Sequence, residues 1–375
     1  MFHVKQETPA ALQFLEEALL EARSRNLFRE RPPPRPEGSL SFCSNDYLAL
    51  AGRMCPAAPS GAGASRLVVG EKAEHVELER IVAEYVRLPD ALVFASGYAA
   101  NLGLLSSLAS PADLIVSDRL NHASLIDGAR LSGARIEVVP HLSLEAIERA
   151  LQAPRAGRAF VVTESYFSMD ADVPDLKALR RLCDSHGAAL IVDEAHALGV
   201  LGPDGRGLCA QAEIQPDALV GTFGKAFGAG GAFVAGCRLL TTWLWNRARS
   251  FVFSTGLSPA VAAAASAGVR TAHAESWRRE HVARTASHLR NGMTQLGLRL
   301  SGVGHIVPWI VGEPHDALRF AEGLRIRGID VRAIRPPSVP VGSARLRFTV
   351  TAAHQPSDLE LAFDAIAAVA GRSGG

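Results

Sequence analysis

The sequence predicts an α/β protein with a mostly parallel central sheet and a smaller C-terminal α+β domain. Two observations carry this. Short apolar runs at 91–94, 114–116, 136–139, 160–163, 190–193, 219–222 and 232–235 alternate with helix-like stretches, the rhythm of βα units around a parallel sheet. After a helical stretch over 258–296 the order changes to strand, helix, strand, strand, helix, at 305–311, 316–325, 330–333, 345–350 and 357–370. Ahead of both lies a segment over 10–29 with Leu12, Leu15, Leu19 and Leu20 on one helical face, followed by the linker Pro32-Pro-Pro-Arg-Pro36. The organisation read from these shifts is an arm and linker over 1–36, a large domain over 37–265 and a small domain over 266–375.

Composition narrows the class. A chain of 375 residues can bury a substantial core. A hydrophobic share of 48% excludes a disordered chain. With 39 basic against 38 acidic residues, it carries no field strong enough to mark a nucleic-acid or membrane binder. Small molecules and a second copy of the chain are the expected partners. Cys43, Cys55, Cys183, Cys209 and Cys237 are scattered and lack C-x-x-C spacing, against both a disulfide framework and a zinc site. No metal is expected, and a reducing cytoplasm fits. The first ten residues contain no apolar core of a signal peptide, and the alanine-rich run at 259–269 is too short to cross a bilayer.

The chemistry concentrates at Lys225, in Gly221-Thr-Phe-Gly-Lys-Ala-Phe-Gly228, and at Asp193, which closes the apolar run Leu190-Ile-Val-Asp193. A lysine set among Gly, Phe and Ala is placed to lose its proton near neutrality, because desolvation disfavours the ammonium form. Such an amine can form a Schiff base with pyridoxal 5'-phosphate (PLP). That cofactor works as an electron sink only while its pyridine nitrogen stays protonated, and a carboxylate at a strand end serves this. Asp193-Glu-Ala-His196 also spells the DEAH box of nucleic-acid-dependent ATPases. That reading fails because Lys225 is followed by Ala226, the first glycine position of a P-loop falls at Leu219 or Ala218, and the lysine lies downstream of the acidic strand. In open α/β sheets ligands bind beyond the carboxyl ends of the strands, where Asp193, Thr222 and Lys225 fall.

Several longer motifs stand in one order along the chain: Phe42-Cys-Ser-Asn-Asp-Tyr-Leu48, Ser65-Arg-Leu67, Ala95-Ser-Gly-Tyr-Ala-Ala-Asn101 and Asp118-Arg-Leu-Asn-His-Ala-Ser-Leu125 come first. Thr163-Glu-Ser-Tyr-Phe-Ser-Met-Asp170, Val192-Asp-Glu-Ala-His196, the Lys225 segment, Ala333-Ile-Arg-Pro-Pro-Ser-Val-Pro340 and Arg345-Leu-Arg347 follow. With these the chain resembles the α-oxoamine synthases, fold-type I PLP-dependent transferases, over nearly its whole length. The resemblance implies that His122 stacks on the cofactor ring and that Ser168 and His196 meet the ring face and its 3-hydroxyl. Asp193 would pair with the ring nitrogen and Lys225 would hold the aldehyde carbon. Gly97 and Tyr98 would offer first-turn N–H groups to the phosphate, where orphan donors and the helix dipole favour an anion, and Thr222 would add its hydroxyl. Read alone, Asn121-His122-Ala-Ser is a helix start, and Ser168 and Thr222 are ordinary turn and strand-end hydroxyls. The loop Gly61-Ala-Gly-Ala-Ser-Arg66 departs from the more glycine-rich family pattern and is stiffer for it.

Arg345 and Arg347 alternate with Leu346 and Phe348, which puts both guanidinium groups on one strand face. A guanidinium fork suits an amino-acid carboxylate. The resemblance gives that task to Arg347, leaves Arg345 facing solvent, sets Asn45 near the substrates and directs Arg29 to the far carboxylate of an acyl chain. It also implies a homodimer with shared active sites, in which Ser254 and Thr255 reach the partner's cofactor phosphate. The reaction implied is a decarboxylating condensation of L-alanine with pimeloyl-CoA or pimeloyl-acyl carrier protein. Glycine C-acetyltransferase, 5-aminolevulinate synthase and serine palmitoyltransferase are the sister activities kept as alternatives.

Overall fold

The computed structural model describes residues 11, 13–30, 38–53 and 57–371. Leu12, Cys55 and the Pro32–Pro36 linker lie outside the described residues. A seven-stranded sheet runs in the order Asp90–Phe94, Ala232–Gly236, Ala218–Thr222, Ala189–Asp193, Ala159–Glu164, Leu114–Asp118, Arg135–Val139. Five neighbouring strands pair in parallel, from Ala218–Thr222 to Arg135–Val139. Ala232–Gly236 runs antiparallel to both its neighbours, so the sheet is mixed and largely parallel, and all seven apolar runs read from the sequence are strands. The central strand is sealed on both faces: Leu190, Ile191 and Val192 are each at most 1% exposed. Burying such a side chain stabilises by about 1.5–3 kcal/mol, and only a strand covered by helices on both sides can be apolar at every position.

The helical stretch at 258–296 is two helices, Pro259–Ala274 and Ser276–Gln295, broken at Glu275. Beyond them a three-stranded antiparallel sheet places Ala344–Thr349 between Arg332–Ile334 and Ile306–Gly312, backed by Pro314–Ile326 and Pro356–Ala370. A short strand, Leu40–Ser41, pairs in parallel with Ile329–Asp330, so the segment after the linker is stitched to the C-terminal part of the chain. Phe42 continues this seam, stacking on His354 and meeting Phe348 edge-on. The arm helix Phe14–Ser24 buries no residue, and Leu15, Leu19 and Leu20 are 40%, 50% and 65% exposed. Among the described residues no helix is long and apolar enough to cross a membrane.

Candidate active site

Five strand ends converge on one edge of the large sheet. Ala218–Thr222 leads into the turn that carries Lys225, closed by a hydrogen bond from Gly228 N–H to the Lys225 carbonyl at 3.0 Å. Gly228 has φ +64°, and a Cβ there would sit 2.4 Å from the Ala51 nitrogen, so the last glycine of the motif is required by both backbone conformation and space. The turn buries the lysine amine. Burial lowers its pKa to about 8, against the opposing pull of Asp193 and Glu164, and the charge of Arg347 lowers it further.

Asp193 ends the neighbouring strand and is 7% exposed. Its Oδ1 accepts from Ala195 N–H at 2.9 Å and its Oδ2 from Asn101 Nδ2 at 2.7 Å, which fixes both oxygens. Glu194 turns the other way and accepts from the Leu208 and Cys209 N–H groups at 2.7 and 2.9 Å. The second acid of the DEAH-like string therefore braces a loop and takes no part in the site.

His122 caps the helix Ala123–Ser132, and its own N–H donates to Glu164 Oε1 at 2.7 Å. Glu164, in register with Asp193 on the adjacent strand, is pushed up to about 8 by burial and by the Asp193 charge. Burial and the Lys225 charge lower the His122 pKa, with Asp193 opposing. His122, Glu164 and Ser168 line a cavity of about 450 Å³ together with Pro337, Ser338 and Val339.

The opposite wall comes from the small sheet. Arg347 is 8% exposed. It donates through Nε to the Ser168 carbonyl at 2.8 Å, through both terminal nitrogens to Asn45 Oδ1 at 3.2 and 3.1 Å, and to the Tyr47 hydroxyl at 3.3 Å. The Tyr47 hydroxyl also lies 2.7 Å from His196 Nδ1. Burial, followed by the Lys225 and Arg347 charges, drives the His196 pKa well below its ordinary value, so His196 is a neutral imidazole. Arg345 corrects the sequence reading: it is 2% exposed and does not face solvent. It donates to Asp170 Oδ1 at 2.6 Å and to the Met169 carbonyl at 2.7 Å. The reason is that its strand is the middle one of its sheet and the 168–170 turn covers that face.

Arg29 donates to Ser338 Oγ at 3.2 Å. It thereby stands where the cavity meets a second cleft, of about 810 Å³, lined by Arg23, Phe28, Arg29, Arg332 and Arg335. Arg335 reaches back to the Asn26 and Phe28 carbonyls, tying the Arg29 segment to the 335–340 turn.

The helix Gly97–Leu108 starts beside Lys225's strand, with Ser96 Oγ accepting from Ala99 N–H at 3.1 Å. A Cβ on Gly97 would lie 4.0 Å from the Thr222 Cβ, which sets the helix start beside Thr222. Thr222 Oγ1 donates to the Gly231 carbonyl at 3.0 Å and accepts from Gly224 N–H at 3.2 Å. Ser254 and Thr255 sit beside Phe94 and Ala95, at the end of the strand that leads into Gly97, next to Phe253, which is 72% exposed. A buried amine, a braced carboxylate, a flat imidazole and an open helix N-terminus fit PLP. Asp193 suits its ring nitrogen, the Gly97 end suits its phosphate and Lys225 its aldehyde carbon.

The sequence reading assigned no role to Tyr47, Asn101, Ser124 or Glu164. Each lies inside a motif it had singled out, and for Asn101, Ser124 and Glu164 the available signal was a polar side chain within a helix or strand.

Comparison with known proteins identifies the family and the fold. Residues 37–366 match the family described as Aminotransferase class I and II. The 8-amino-7-oxononanoate synthase of Alkalilimnicola ehrlichii is 44% identical over 344 residues, 88% of each chain. Among solved structures, a variant serine palmitoyltransferase from S. paucimobilis with PLP and myriocin bound superposes with a TM-score of 0.88 at 26% identity, over 98% of this chain and 99% of that one. The 8-amino-7-oxononanoate synthase of Francisella tularensis superposes with a TM-score of 0.76 at 26% identity, over 90% and 99%.

Proposed function

The chain belongs to the class I and II aminotransferase family, among the 8-amino-7-oxononanoate synthases, and from that footing we propose how its residues divide the work. It is a PLP-dependent acyltransferase of biotin biosynthesis. The reaction condenses L-alanine with a pimeloyl thioester, on CoA or acyl carrier protein, and releases carbon dioxide and the free thiol to give 8-amino-7-oxononanoate. We place it in the cytoplasm, as a homodimer with Ser254 and Thr255 turned to the partner's phosphate site.

One observation supports the substrate assignment most directly. Arg347 is buried, and every acceptor it meets among the described residues is a neutral oxygen, whereas Arg345, two residues away, has Asp170. A buried cation without a counter-ion is costly, and the carboxylate of an amino acid would satisfy it. Arg347 therefore binds the α-carboxylate and Asn45 and Tyr47 hold its fork in place.

Bound PLP supplies an electron sink that acidifies the hydrogen on the amino acid's α-carbon. Lys225 Nζ, with its pKa near 8, is the group that takes and returns that proton. Asp193 faces the ring nitrogen, held by Asn101 and Ala195. His122 covers the ring face, and the neutral His196 offers a hydrogen bond without adding charge. Arg29, anchored on Ser338, reads the far carboxylate of the acyl chain. The sister activities are less well supported: the relatives named 8-amino-7-oxononanoate synthase share 42% to 45% identity with the chain over most of its length.

The deciding assay offers purified protein alanine, glycine or serine with acetyl, succinyl, pimeloyl or palmitoyl thioesters and measures free thiol. Release is expected with alanine and pimeloyl donors. A preference for glycine with acetyl or succinyl donors would overturn the substrate assignment.

A further inference from the structure

Asp193 and His122 reach the site from different strands, yet one chain of hydrogen bonds joins them. Asn101, 1% exposed on the helix Gly97–Leu108, gives one Nδ2 hydrogen to Asp193 Oδ2 at 2.7 Å and the other to Ser124 Oγ at 2.9 Å. Ser124, fully buried, lies 2.8 Å from His122 Nδ1 through its hydroxyl and 3.3 Å from it through its backbone N–H.

The direction of every bond in this chain is fixed. An ionised carboxylate can only accept, so the Asn101 NH2 end, and not its carbonyl, faces Asp193. The same NH2 then donates to Ser124 Oγ, which leaves the single hydroxyl proton of Ser124 free to point at His122 Nδ1. The Ser124 N–H can only donate as well. Two donors thus converge on Nδ1, which must present its lone pair, and the ring proton is confined to Nε2.

We propose that Asn101 and Ser124 are positioning residues that hold His122 as the neutral Nε2–H tautomer and lock it to Asp193. This rests on the reading that His122 covers the PLP ring. The consequence for that reading is specific. Nδ1 is fully engaged by the protein, and Nε2–H, on the other end of a ring that lines the cavity, is a hydrogen-bond donor available to the substrate. Burial lowers the pKa of the ring, and the charged groups facing it, Asp193 and Lys225, act on it in opposite directions.

The test is long-range 1H–15N NMR on the full chain with 15N-labelled histidine, with and without PLP. The His122 signal is identified by its loss in His122→Asn. In the parent, Nδ1 is expected at the unprotonated position and Nε2 at the protonated one from pH 6.5 to 9. In Asn101→Ala and in the milder Ser124→Ala, the Nδ1–H form becomes detectable and the titration midpoint rises toward the ordinary value of about 6.5. PLP binding to Asn101→Ala weakens about ten-fold, as expected for one lost bond to a charged group. An Nδ1–H ring in the parent, or folded variants that keep the parent tautomer and midpoint, would overturn the proposal. A chain that shows the Nε2–H ring and binds no PLP would instead remove the functional reading and leave this one standing.

Discussion

Glu164 and Asp193 are register partners on adjacent parallel strands, and their environments differ. Asp193 accepts from two donors that hold it in place, whereas Glu164 has a single backbone donor, the His122 N–H, and is pushed up to about 8 by burial and by its neighbour's charge.

Glu164 makes the stability of the cofactor-free protein depend on pH in a defined sense. Its folded pKa lies above its unfolded value of about 4.3, so the folded state binds more protons in that window. Stability should therefore fall as pH rises from about 4.3 to about 8. Glu164→Gln, which is neutral throughout, should melt with a visibly shallower slope over pH 5 to 8. Identical slopes in parent and variant would show that Glu164 is ionised in the fold.

Lys225 should be the only lysine that holds the cofactor. Purified protein loaded with PLP should be yellow, and borohydride should bleach it while fixing the cofactor covalently. Peptide mapping should then find the adduct on Lys225; an adduct on any other lysine removes the assignment.

Asp193→Asn should leave the fold and the melting temperature nearly unchanged and lower turnover by orders of magnitude, because the ring nitrogen loses its charged partner. Turnover at the parent rate would contradict the placement of that nitrogen.

Arg347 and Arg29 should separate the two carboxylates. A lost charge-assisted hydrogen bond costs about 1.5–3 kcal/mol, or about ten-fold and more in KM. Arg347→Ala should raise KM for alanine, and Arg29→Ala should raise KM for the acyl donor alone. An Arg29→Ala enzyme that still prefers pimeloyl over uncharged acyl thioesters of equal length would make Arg29 a surface residue.

Ser254 and Thr255 should matter only in an assembled pair of chains. Sedimentation of the loaded protein should give a dimer, and Thr255→Ala should weaken PLP binding. Fully active, cofactor-loaded monomers would exclude shared sites.

The sequence by itself determined the strands, since each central strand must be apolar at every position to be buried on both faces, and that shows as an unbroken run such as Leu190-Ile-Val192. It also pointed to Lys225 and Asp193, because a lysine between glycines and an acid at a strand end are local patterns. The pairings were decided only by the tertiary structure. Nothing local to Arg345 says that Asp170 will neutralise it while Arg347 is left with neutral oxygens. Nothing local to Asn101 says that its amide will span Asp193 and Ser124. Periodicity reports which way a side chain leaves its own strand or helix, whereas hydrogen bonds and desolvation depend on which distant segment arrives opposite it, and that is set by packing.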